Sequence, residues 1–187
     1  YGLSEKLVAG DWSADSPYAA SAAVDQLFSL LDELGADRVV LVGNSYGGVI
    51  AVQAALAQPA RVEELVLVDP AVYVEEEMPA WLMNLPQMRR LGPVFARQLG
   101  QNEAFFRQTY LDPNRISDDR LAATSIHTRV ADWDLALWEY LRAWSVDLSA
   151  LAGQFGEIEQ PALIVSGDSD TIVPVEQVQE NASYYSK

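Results

Sequence analysis

The chain has 187 residues, half of them apolar, and its 12 basic and 27 acidic residues give a formal charge of -15. That length and apolar content suit one folded domain, or one domain with an inserted subdomain, and exclude a disordered chain. The negative field excludes nucleic acid and anionic lipid surfaces as partners, and the absence of cysteine excludes disulfides, thiol catalysis and cysteine metal sites.

Residues Tyr1 to Lys6 lack the basic start and apolar stretch of a signal peptide. No apolar run approaches the roughly 18 residues of a membrane span. The cytoplasm is therefore the default location. Ser16-Pro17 predicts a helix start, because serine caps free N–H groups and proline suits the first helical position. Val24, Leu27, Phe28, Leu31 and Leu34 follow at helical spacing, and Gly35 supplies a left-handed stop. Val39-Val40-Leu41-Val42 reads as a parallel strand buried on both faces. A small-residue helix is expected from about Gly47 to Gln58, ending at Pro59.

Leu65-Val66-Leu67-Val68 is a second buried strand, closed by Asp69-Pro70, and Ala162-Leu163-Ile164-Val165 is a third. Strand, helix, strand at this spacing implies a parallel α/β unit with right-handed crossovers. The stretch 72–160 is far longer than one crossover helix needs. It is patterned as helix throughout, with one start at Ser117-Asp118-Asp119 and an amphipathic helix from Trp133 to Trp144. The division expected is 1–71 as the first part of the core, 72–160 as a helical cap, and 161–187 as the rest of the core. The cap is expected over the carboxyl ends of the strands, above Ser45.

The strongest chemical signal is Gly43-Asn44-Ser45-Tyr46-Gly47-Gly48, between a strand and a small-residue helix. A serine here sits on a tight strand-to-helix turn, and a positive φ is expected at Ser45. The hydroxyl is raised beside the positive end of the helix, and the Tyr46 N–H points where an oxyanion would form. A glycine-rich turn serving only close packing is the bland alternative.

These residues resemble the α/β-hydrolase superfamily, in particular its cap-bearing esterases, haloperoxidase-like enzymes and carbon–carbon bond hydrolases. Tyr1-Gly2-Leu3-Ser4 resembles the family's aromatic-glycine-x-serine turn, Leu67-Val68-Asp69-Pro70-Ala71 the end of its next strand, and Gly167-Asp168-Ser169-Asp170 with Pro174 the loop of the catalytic acid. The resemblance implies an α/β fold with a parallel sheet and an inserted helical cap. It implies a serine hydrolase acting on a small ester or related carbonyl compound through an acyl-enzyme, with no cofactor and no metal. Ser45 is then the nucleophile, Tyr46 an oxyanion donor and Asp170 the acid. Asp168 and Asp69 are the rival acids, each with a turn residue as its plainer reading.

The order serine, acid, histidine places the base after the acid, and no histidine follows Asp170. The sole histidine, His127, lies in the insert, where a surface or packing role, or at most a substrate contact, is more common than that of the base. Two explanations compete: a longer protein, incomplete here at both ends, or a non-catalytic binding or scaffold protein on a degenerate hydrolase fold. The sheet edge that three strands leave bare favours the first. Trp81, Phe95, Phe105, Phe106, Tyr110, Trp133, Trp138 and Trp144 are expected mostly to pack cap helices, a few lining a pocket. Asn181-Ala182-Ser183 fits a glycosylation acceptor by chance composition alone. The number of subunits is left open.

Overall fold

A computed structural model describes residues 2–13, 15–72, 80–151 and 154–184. It divides into two compact units. One joins Tyr1–Pro17 to Glu77–Ser145, and the other joins Tyr18–Glu76 to Val146–Lys187.

The second unit contains the sheet. Helix α1 spans Ala20–Glu33 and buries Ala20, Val24, Phe28 and Leu31, the inward stripe of its apolar spacing. It starts later than Ser16-Pro17 predicts. Ala19 occupies the capping position with extended backbone and no side-chain cap, so the helical run cannot extend back to Pro17. The stop is as expected: Gly35 has φ 65, its N–H donates to Asp32 O, and Ala36 N–H donates to Leu31 O. That pairing satisfies the last carbonyls of the helix, and the left-handed φ costs glycine least.

Strand β1 (Val39–Asn44) leads through Ser45 into α2 (Tyr46–Ala57), and β2 (Val62–Val68) follows. Strand β3 is Ala162–Val165, and a last helix, Val175–Tyr184, comes after it. The three strands are parallel in the order β1-β2-β3. Helix α2 packs on β1, β2 and α1. Gly48, Val49, Ala51, Val52, Ala54 and Ala55 are all buried, because a helix apolar on every side and built of small residues can lie close to a sheet.

The strands are not buried on both faces as their composition suggests. Leu65 and Leu67 are enclosed, whereas Val40, Val42, Leu163 and Val165 are 47, 71, 59 and 45 % exposed. The register pairs Val42 with Val66 and Val66 with Leu163, so the exposed valines and leucine share one face of the sheet. A β-branched run records what a strand tolerates. What lies over each face is settled by the placement of other elements.

The first unit is helical. Its described residues from Ala80 to Ser145 form helices and turns without a strand. Helices α3 (Ala80–Met83), α4 (Met88–Gly100), α5 (Glu103–Gln108) and α6 (Asp118–Thr124) precede α7 (Trp133–Leu151), within which the boundary between the units falls. The start expected at Ser117 is present: its hydroxyl accepts from the Arg120 N–H at 3.3 Å, with Asp118 and Asp119 in the first turn. The core of this unit forms around Trp138, 2 % exposed, with Met83 and Ala96, flanked by Met88, Leu137 and Leu141. Trp133 and Trp138 therefore pack, whereas Trp81, Phe95 and Phe105 are exposed, so the expectation that most of these aromatics pack is met only in part. Phe106 lines an open cavity of about 400 Å³ with Gly100, Leu121 and Thr128. No described helix is long and apolar enough to cross a membrane.

Helix α4 turns its smallest residues, Gly92, Ala96 and Gly100, inward. A Cβ at Gly92 would overlap the Trp138 indole. Helix propensity alone favours alanine over glycine by about 1 kcal/mol. Gly92→Ala is nevertheless expected to lower stability, by about 1–3 kcal/mol, because overpacking against a buried ring outweighs propensity. Urea unfolding followed by tryptophan fluorescence checks this, with Gly156→Ala, whose Cβ meets nothing within 4 Å, as the control.

Candidate functional site

Three carboxyl ends of adjacent parallel strands lie side by side in the sheet unit, and each leads into a residue with chemical potential. Ser45 follows β1, Asp69 follows β2, and the loop of Asp168 and Asp170 follows β3. This is the end of a parallel sheet at which functional loops gather.

Ser45 has φ 52 and ψ -121, as the strand-to-helix turn requires. Such values are strained for any residue with a side chain. The surroundings enforce them. A Cβ on Gly43 would strike the Gly47 carbonyl, and one on Gly48 would lie 2.8 Å from Pro70 Cβ, so only glycine lets the chain close so tightly. The backbone then fixes the turn: Ser45 N–H donates to Val68 O at 2.9 Å, and Ser45 O accepts from Gly48 N–H at 2.9 Å and Ala71 N–H at 3.2 Å. Asn44 Nδ2 donates to the same Val68 carbonyl at 3.1 Å. The Ser45 hydroxyl has no hydrogen-bond partner among the described residues. Tyr46 opens α2, where N–H groups and the positive end of the helix dipole face outward.

Asp170 is anchored by its own loop. Its Oδ1 accepts from Ile172 N–H at 2.7 Å and Val173 N–H at 2.9 Å. Asp170 N–H donates to Gly167 O at 3.2 Å. One carboxylate oxygen is thus held, and the other takes no bond from a described residue, which suits a group that must present an oxygen to a partner. Among the described residues Asp168 makes only a local contact, accepting from the Ser169 hydroxyl at 3.0 Å.

Asp69 is more than the turn residue its sequence position suggests. It has φ 42, its N–H donates to Val165 O at 2.8 Å, and its Oδ1 accepts from Gly167 N–H at 3.1 Å. The signal for this was weak, because a residue before proline is normally extended.

His127 lies in the helical unit, on a 3₁₀ turn from Ser125 to Arg129. Its Nδ1 pairs with Thr124 O at 3.0 Å, and its ring meets Trp133 edge-on at 5.0 Å. Nε2 is buried and unpartnered among the described residues. These are the contacts of a packing residue. Among the described residues no group of three or more histidines, aspartates or glutamates could hold a metal ion. Of the turn at the start of the chain, Tyr1 lies outside the described residues and Gly2 has φ 28.

The family described as "alpha/beta hydrolase fold" matches residues 2–185. The chain is 30 % identical over 182 residues to the 2-hydroxy-6-oxononadienedioate/2-hydroxy-6-oxononatrienedioate hydrolase of Paraburkholderia xenovorans, a match spanning 88 % of this chain and 59 % of that protein. It is 45 % identical over 64 residues to lipase LipV of Mycobacterium tuberculosis, spanning 34 % of this chain and 24 % of that one. Among solved structures, the 2-hydroxy-6-oxo-6-phenylhexa-2,4-dienoate hydrolase of a Rhodococcus strain superposes with TM-score 0.71 at 17 % identity, over 92 % of this chain and 63 % of that one. The chain thus spans a little over half the length of the Paraburkholderia relative. With the sheet, the strand-to-helix turn and a match along nearly all of its residues, this chain belongs to the alpha/beta hydrolase fold family.

Proposed function

We propose that the protein is a serine hydrolase acting on an ester or related carbonyl substrate, with Ser45 as nucleophile. The observation that carries this reading is the strained backbone of Ser45, φ 52, on a turn that two glycines make possible. Strain of this kind is retained where the fold over-determines it, and it lifts the hydroxyl clear of both strand and helix.

In this reading Ser45 Oγ attacks the carbonyl carbon as its proton passes to an imidazole. The C–O bond forms, the carbonyl π pair moves to oxygen, and the Tyr46 N–H donates to that oxyanion. The imidazole returns the proton to the leaving group as the acyl-enzyme forms, and water then releases the acyl group by the same steps. Asp170 orients the imidazole through its free carboxylate oxygen. The base is proposed to come from chain outside these 187 residues, since the relatives extend well beyond the matched stretch. The stretch 72–160 is proposed as the cap that sets substrate choice. Several relatives are named as hydrolases of oxo acids or semialdehydes, which keeps carbonyl compounds other than simple esters within the proposed class.

A second reading, a non-catalytic binder on the same fold, is favoured by one observation: the sole histidine packs against Trp133. The two readings separate in an assay of p-nitrophenyl acetate hydrolysis and fluorophosphonate labelling. The full-length protein is expected to turn over ester and label, and Ser45→Ala to do neither. Asp170→Asn is expected to lower kcat by about 10⁴-fold, the scale seen when a triad acid loses its charge. The 187-residue chain alone is expected to show negligible turnover. Ser45-dependent turnover by that chain would place the base within it, and His127→Ala would identify it.

The strain itself is testable. Ser45→Gly relieves a backbone cost of about 1–3 kcal/mol. It is expected to raise the unfolding midpoint above that of Ser45→Ala while remaining inactive, as thermal unfolding checks.

A further inference from the structure

Ser45 and Asp170 follow different strands, and a serine hydrolase needs them in fixed relation. A continuous path of backbone and hydrogen bonds joins them through the segment after β2. Ser45 O accepts from Ala71 N–H at 3.2 Å, and Pro70 lies against Gly48. Two residues back from Ala71, the Asp69 carboxylate accepts from Gly167 N–H at 3.1 Å, and Gly167 O in turn accepts from Asp170 N–H at 3.2 Å. Gly167 is therefore gripped at both of its backbone groups, once by Asp69 and once by Asp170.

The conformation of Asp69 adds a second reason to assign it a task. At φ 42 it lies in the left-handed region, where glycine would be less strained. Its backbone bond to Val165 O would survive substitution by glycine. Among the described residues, only the carboxylate contact with Gly167 requires the side chain that is there.

We infer that Asp69 is a positioning residue that holds the acid loop in register with the Ser45 turn. The inference rests on the serine-hydrolase reading for its catalytic consequence, though not for the contact itself. Without the carboxylate the Gly167 N–H loses its partner, and the loop from Gly167 to Val173 is released from the β2 end. Asp170 then presents its oxygen imperfectly, and the imidazolium that forms in the reaction is less well stabilised.

The test compares Asp69→Ala, Asp69→Gly and Asp69→Asn in the full-length protein. Asparagine keeps an acceptor oxygen and tolerates a left-handed backbone. Amide exchange over Gly167–Val173 is expected to quicken by roughly 10-fold in the alanine and glycine variants, the scale of one lost hydrogen bond, and to stay near the parent in the asparagine variant. kcat is expected to fall by roughly 10–100-fold in the alanine and glycine variants, the scale of a small misplacement, with KM little changed and asparagine restoring most of it. The rising limb of kcat/KM with pH is expected to move to lower pH in the alanine variant, because an imidazolium with a weaker partner gives up its proton more readily.

Glycine serves as the variant that folds, since it relieves the strain while deleting the carboxylate. Unchanged exchange in the alanine and glycine variants would overturn the inference. So would quickened exchange with unchanged kcat in a protein that Ser45→Ala inactivates. If Ser45→Ala leaves turnover intact, the hydrolase reading fails, and exchange alone then decides whether Asp69 holds the loop.

Discussion

Gly43 meets the Gly47 carbonyl with no room for a side chain between them, and much else in the sheet unit depends on that approach. A Cβ at Gly43 would hold strand and helix apart, and the chain could not reverse in a single residue. Because it does reverse there, Ser45 takes a positive φ, α2 starts at the next residue, and the helix lies close enough to the sheet for Gly48 to touch Pro70. The burial of Val49, Val52 and Ala54 follows from the same closeness. Sterics at one glycine thus set both the packing of the central helix and the backbone conformation of Ser45.

The segment after β2 links this turn to the rest of the site. Val68 O takes the Ser45 N–H, Ala71 N–H returns a bond to Ser45 O, and Asp69 reaches to Gly167. Neighbouring strand ends in a parallel sheet are held at the ladder spacing, so a short side chain on the middle strand can reach the loop of the next. Asp170 uses one oxygen to close its own loop, and the other takes no bond from a described residue. Among the described residues the candidate site is held by backbone hydrogen bonds and by bonds from the side chains of Asn44, Asp69 and Asp170 to backbone groups alike.

The helical unit follows a different logic. Its core forms where tryptophans on α7 meet glycine and alanine on α4, large against small, as close packing of helices demands. His127 joins that core through Trp133, one of the roles its place in the helical insert suggests, although the identity of its partner is visible only in the folded unit.

The parallel strands, the helix after β1, the left-handed stop at Gly35 and the strained turn at Ser45 were all legible in the order of residues. Each rests on local sterics or short-range periodicity, and local physics is written in adjacent residues. The helix cap at Ser117 was legible for the same reason. The start of α1 was not, since the extended backbone at Ala19 overrides the capping pattern at Ser16-Pro17. That one face of the sheet, with Val42 and Leu163, lies exposed could be learned from the folded chain alone, because burial depends on elements far away in the sequence. The same holds for the contact of Asp69 with Gly167, 98 residues apart. A contact of that span is made by the order of strands in the sheet, and no periodicity in the sequence encodes it.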